Sequence, residues 1–162
     1  MNNPEVQAEA IRRVREFTDP KEEAMTEPAK CQVVRAVESY QGKQGPMYAG
    51  GISAETVGAQ GIWLGVITVP PGGRTKAHYH ANHETALYVL SGEAEMWSGP
   101  DLAERHVTRA GDYVYIPAGV SHVAANLSRT EPCVVVAGRT DPHEQESVVL
   151  QPDLDAKAVS RA

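Results

Sequence analysis

The side chains best suited to chemistry in this 162-residue chain are three histidines and a carboxylate: His78, His80, Glu84 and His122. His78 and His80 stand two residues apart. On a strand, side chains two apart leave the same face, so these imidazoles project together. Glu84 keeps the same even parity after a short kink. Two nitrogen donors and one oxygen donor then share one surface. That set suits one divalent transition metal ion: Fe, Mn, Ni, Co or Zn. His122 joins them only if its strand faces theirs inside one barrel. Imidazoles ligate when neutral, and a reference pKa of about 6.5 leaves them mostly neutral at pH 7. His83 has odd parity and is expected to point away from the metal. It replaces Glu84 only if the kink falls elsewhere. His106 and His143 have no partner context and read as surface residues.

The elements that must position these residues are short strands. Gln32–Glu38, Ile52–Val57, Ile62–Val69, Ala86–Leu90, Ala94–Trp97, Arg105–Thr108, Tyr113–Ile116, His122–Ala125, Cys133–Ala137 and Ser147–Leu150 are β-rich runs. Gly and Pro punctuate them, as in Pro70-Pro71-Gly72-Gly73 and Pro117-Ala118-Gly119. Many short strands at regular spacing indicate a sandwich or barrel. Before them, Val6, Ala10, Ile11, Val14 and Phe17 recur at helical spacing, and Asp19-Pro20 stops that helix. The chain thus divides into an N-terminal helical arm and linker (1–30), a barrel (31–150) and a polar C-terminal tail (151–162).

Composition narrows the function classes. Twenty-one acidic against fifteen basic residues give a formal charge of −6. With no basic run, a nucleic-acid or anionic-membrane partner is not expected. No window approaches 18 consecutive apolar residues, so no membrane span is expected either. The N-terminus lacks the apolar core of a secretory signal, and the expected location is cytoplasmic. Cys31 and Cys133 have no CxxC context and read as reduced thiols.

Two stretches together carry a family resemblance. Gly72, His78, His80, Glu84 and Gly92 follow the pattern G-x5-H-x-H-x(3 or 4)-E-x6-G. Gly111, Pro117, Gly119, His122 and Asn126 follow G-x5-P-x-G-x2-H-x3-N at every named position. Over roughly residues 60–140 the chain resembles the cupin superfamily, and most closely its small single-domain bacterial members. The resemblance implies an all-β fold, a double-stranded β-helix or jelly-roll barrel, here with a short N-terminal helix. It also implies metal ligation by His78, His80, Glu84 and His122. One spacing departs from the pattern, because seven residues rather than six separate Glu84 from Gly92. If Gly92 sets the register, Thr85 stands in the glutamate position. A β-bulge near Glu84 would absorb the extra residue.

Three histidines and a carboxylate leave one or two coordination positions open, as in catalytic rather than structural metal sites. The expected function is therefore metal-dependent chemistry on a small organic molecule inside the barrel, of an Fe(II)- or Mn(II)-type dioxygenase. The alternatives are a non-redox isomerase, lyase or hydrolase, or a non-catalytic module that binds a small ligand. Tyr48, Trp63, Tyr88, Tyr113 and Tyr115 are candidates to line the cavity or to pack in the core or an interface, and Arg74 reads as a solvated charge, with an anionic substrate as its alternative partner. A homodimer is expected, built on sheet edges or the N-terminal arm.

Overall fold

The computed structural model describes residues 30–35, 38–143, 145 and 147–159. The helix expected over 4–17 lies outside them. Eleven strands are described: β1 (Tyr40–Gln41), β2 (Met47–Ile52), β3 (Trp63–Val69), β4 (His78–His80), β5 (Thr85–Ser91), β6 (Glu93–Ser98), β7 (Glu104–Arg109), β8 (Tyr113–Ile116), β9 (His122–Asn126), β10 (Cys133–Arg139) and β11 (Val148–Leu150). Two helices accompany them, α1 (Ala54–Val57) and α2 (Pro152–Val159), with a 3-10 segment at Pro100–Leu102. The strands form a six-stranded sheet in the order β1-β2-β3-β10-β5-β8 and a five-stranded sheet in the order β11-β4-β9-β6-β7. Every pairing between named strands is antiparallel. This is the expected double-stranded β-helix.

Alternation of side chains decides what the sheets enclose. In β3, Trp63, Ile67 and Val69 are buried while Leu64 is exposed. In β10, Cys133, Ala137 and Arg139 are buried at the same parity. Register then aligns inward residues in rows across the larger sheet. Trp63, Arg139, Thr85 and Ile116 are successive partners on β3, β10, β5 and β8. Tyr48, Ile67, Val135 and Val89 form a second row on β2, β3, β10 and β5. The β5–β6 turn runs through Gly92 at φ 86°. A Cβ there would come within 2.8 Å of the Cys133 Cα, so only glycine fits.

Three expectations about elements need correction. Ile52–Val57 is not one strand: β2 ends at Ile52, and Ser53 and Thr56 close a capping box that starts α1. In Gln32–Glu38, residues 32–35 and 38 are not in a strand, and the others fall outside the described residues. Residues 152–159, read as part of a polar tail, form α2. Pro152 suits a first helical turn, and Asp153 and Asp155 there complement the helix dipole. Ala158 is buried, and Leu154 packs with it against Trp97, Leu102 and Val123 on the side of the smaller sheet away from the cavity. Arg74 is not aimed at a substrate. Its guanidinium pairs with both carboxylate oxygens of Asp155, at 2.6 and 3.0 Å, and the Ala77 N–H donates to the same carboxylate.

Candidate metal centre

The histidines are brought together by one cross-strand pair and one alternation. His78 on β4 lies directly opposite His122 on β9. His80 is two residues along β4 and shares the inward face. All three are buried. Ring centroids are 4.2 Å apart for His78 and His122, 5.0 Å for His78 and His80, and 5.3 Å for His80 and His122. One ring nitrogen from each lies within 4.8 Å of the others. Donors about 2.1 Å from one ion lie about 3.0–3.4 Å apart in cis-octahedral or tetrahedral geometry, so side-chain movements of about an ångström close the set.

The surrounding backbone sets the tautomers. His78 Nδ1 lies 2.7 Å from the Lys76 carbonyl, and His122 Nδ1 lies 2.9 Å from the Val120 carbonyl. A carbonyl only accepts, so each Nδ1 carries the proton and each Nε2 keeps its lone pair for a ligand. Burial pushes all three imidazoles toward the neutral form, His122 down to about 4, and the nearby Arg139 charge adds to it. His78 and His80 are also lowered by the charge of the other histidines. Neutral, preoriented nitrogen donors in a dry wall are what a divalent transition metal requires, so these residues fit such an ion.

Glu84 does not join them. Thr85 pairs with Arg139 and Ile116 and points inward, so Glu84, one residue earlier, points outward. Its carboxylate is exposed and accepts a 2.5 Å hydrogen bond from the Tyr115 hydroxyl. The bulge expected near Glu84 lies at the other end of β5, where the register shifts between Val134 and Val135. Thr85 stands instead in the cavity wall, nearly fully buried. Its Oγ1 has no hydrogen-bond partner, and neither does His80 Nδ1.

His83 is buried rather than superficial. Its ring lies 4.4 Å from that of His80, and its Nδ1 is 2.6 Å from the Ser147 hydroxyl. It stacks behind the three histidines and is not grouped with them. Asn126 serves the backbone: its Nδ2 donates to the carbonyls of Val69, Pro70 and Glu131. Tyr48 lines the cavity as expected, and Trp63 packs beneath Arg139, whose Cζ is 4.8 Å from the indole centroid. Tyr88, Tyr113 and Tyr115 do not line it; they are exposed on the outer face. Arg139 escaped sequence reading. The available signal was a charged residue continuing the inward parity of Cys133, Val135 and Ala137.

The cavity holds about 80 Å³, room for roughly five to eight non-hydrogen atoms. His78, His80, His122, Thr85 and Arg139 line it together with Thr75 and Thr108, whose hydroxyls are bonded to the Ala124 and Ala94 backbone, and Ile67, Val69, Val89, Met96, Ile116 and Val135 form much of the rest.

Comparisons with known proteins agree with the geometry. A family profile described as "Cupin domain" matches residues 65–138. Protein SchB of Streptomyces halstedii is 35% identical over 81 residues, which are 49% of this chain and 56% of that protein. Oxalate decarboxylase OxdC of Bacillus subtilis (strain 168) is 31% identical over 80 residues, which are 48% of this chain and 20% of that enzyme. The chain therefore spans only part of either relative. In fold, a Lactobacillus farciminis oxalate decarboxylase in complex with formate superposes with a TM-score of 0.60 at 21% identity, over 78% of this chain and 36% of the other.

Proposed function

The chain belongs to the cupin superfamily, and from that premise we propose that it is a metal-dependent enzyme acting on a small organic molecule in the barrel, of the Fe(II)- or Mn(II)-type dioxygenase class. His78 and His122 would hold the ion through Nε2, and His80 would complete the set through a ring nitrogen. The observation that carries this reading is their convergence on the wall of a mostly apolar cavity whose lining, among the described residues, includes Thr85 and no carboxylate. A site with three protein donors leaves two or more positions open, enough for substrate and O2 together.

The bound ion would supply a Lewis-acidic, redox-capable centre. The protein's residues do the rest. The Lys76 and Val120 carbonyls hold two imidazoles in the ligating tautomer. His83 backs the His80 ring. Ile67, Val69, Val89 and Met96 exclude water and pack the apolar part of the substrate. The test is oxygen uptake by Fe(II)-loaded protein against a panel of small organic acids and phenols. Uptake that disappears in His122→Ala supports the reading. Substrate binding with no oxygen consumed overturns the dioxygenase assignment.

A second reading is a metal-dependent lyase, favoured by the stretch that is 31% identical to an oxalate decarboxylase. Release of CO2 from a carboxylic acid without net oxygen uptake would mark it. A homodimer is proposed for the full chain, and light scattering after size exclusion checks it; a clean monomer contradicts it.

A further inference from the structure

The cavity wall is unusual in its charges. Among the described residues that line it there is no Asp or Glu. Glu84 is outside, tied to Tyr115. Thr85 occupies the inward position beside Arg139, its direct partner across the β5–β10 pair. The Thr85 hydroxyl is buried at 2% exposure and its Oγ1 has no partner. A buried hydroxyl without a hydrogen bond costs about 1–3 kcal/mol, so a position like this is stable when something in the cavity accepts from it. Arg139 places a fixed cation in the same row, over Trp63 and Tyr48. Its field reaches all four of His78, His80, His83 and His122.

A divalent ion held by three neutral imidazoles keeps its full double charge in an apolar space, where uncompensated charge is costly. Among the described residues the wall supplies no anion to offset it. We infer that the ligand supplies it: the molecule bound here is a small monocarboxylate or similar oxyanion with an apolar body, whose anionic oxygen accepts a hydrogen bond from Thr85 Oγ1 on the wall that faces the histidines. The inference rests on the metal site proposed above and names the substrate class for it. The size and lining of the cavity set the rest. About 80 Å³ admits a short aliphatic or branched acid. Ile67, Val69, Val89 and Val135 receive a hydrocarbon body.

Thr85 is thus a positioning residue that selects an anion. The test is titration of Co(II)-loaded protein with isobutyrate and with its neutral isostere isobutyramide, followed by calorimetry and by the visible bands of the Co(II). Isobutyrate is expected to bind at least a hundredfold tighter than isobutyramide and to shift the bands. Thr85→Val, which keeps the shape and removes the hydroxyl, should weaken isobutyrate at least tenfold. Thr85→Ser should restore most of that loss. Thr85→Glu, which places a carboxylate at the same position, should retain Co(II) and lose isobutyrate binding. Equal affinity for acid and amide, or unchanged isobutyrate affinity in Thr85→Val, overturns the inference. Failure of the unmodified protein to take up Co(II) is a separate result: it removes the metal site itself and this inference with it. Uptake of Co(II) without anion binding leaves the metal site standing and refutes only the inference.

Discussion

His122 shows how single residues fix the site. Burial lowers its pKa from about 6.5 to about 4 in the metal-free fold. A base whose folded pKa is depressed binds its proton more readily in the unfolded chain. The metal-free protein is therefore at full stability above pH ~6.5 and loses it as pH falls toward 4. His122 alone accounts for a loss of about 3 kcal/mol across that window. Urea titrations of metal-free protein at pH 7, 5.5 and 4.5 check the slope, and His122→Asn should flatten it. At this scale the sequence was legible where parity and motif agreed. His78, His80 and His122 needed only strand alternation and two spacings. Thr85 was visible as a consequence of the Glu84–Gly92 spacing, but choosing it over Glu84 required knowing where β5 starts to alternate. A carboxylate is also the more obvious ligand type, so composition favoured the neighbour whose side chain the structure places outside, on Tyr115. Arg139 was hidden because a cation at the end of an apolar strand ordinarily marks an exit into solvent.

At the scale of elements, most strand ends fall within one or two residues of the β-rich runs, because inward alternation continues until a Gly or Pro turn stops it. β2 was missed because Gly50 and Gly51 dilute its β-propensity. There the missing side chains make room for Trp63, since a Cβ on Gly50 would sit 3.1 Å from the indole Nε1. α2 was missed because only Leu154 and Ala158 face the sheet, too little for a clear apolar stripe. Its anchor is the Arg74–Asp155 pair together with the Ala77 N–H, which joins the helix to the loop leading into β4. Asp155→Ala should cost about 1–2 kcal/mol, allowing for partial exposure of the pair. In a domain of this size that is a fall of about 3–6 °C in Tm. Differential scanning calorimetry checks it, with Lys157→Ala, whose ion pair to Asp101 is exposed, as a near-neutral comparison.

At the scale of the whole molecule, two sheets enclose one small, mostly apolar space and place the histidines on one wall and Thr85 and Arg139 on the other. The barrel has its own core, so the metal is not needed to hold the fold together. A metal ion bound to the folded site would still raise stability by mass action. At free metal about a hundredfold above its Kd the gain is about 2.7 kcal/mol, and chelation should lower Tm accordingly without unfolding the protein at room temperature. The central claim is a three-histidine centre with Glu84 outside it. Its most direct test is the metal-to-protein ratio, by elemental analysis, of purified unmodified protein, His80→Ala and Glu84→Ala prepared side by side. The account predicts a ratio close to one for the unmodified protein and for Glu84→Ala, with near-complete loss in His80→Ala. Metal kept by His80→Ala, or lost as fully from Glu84→Ala as from His80→Ala, would contradict it.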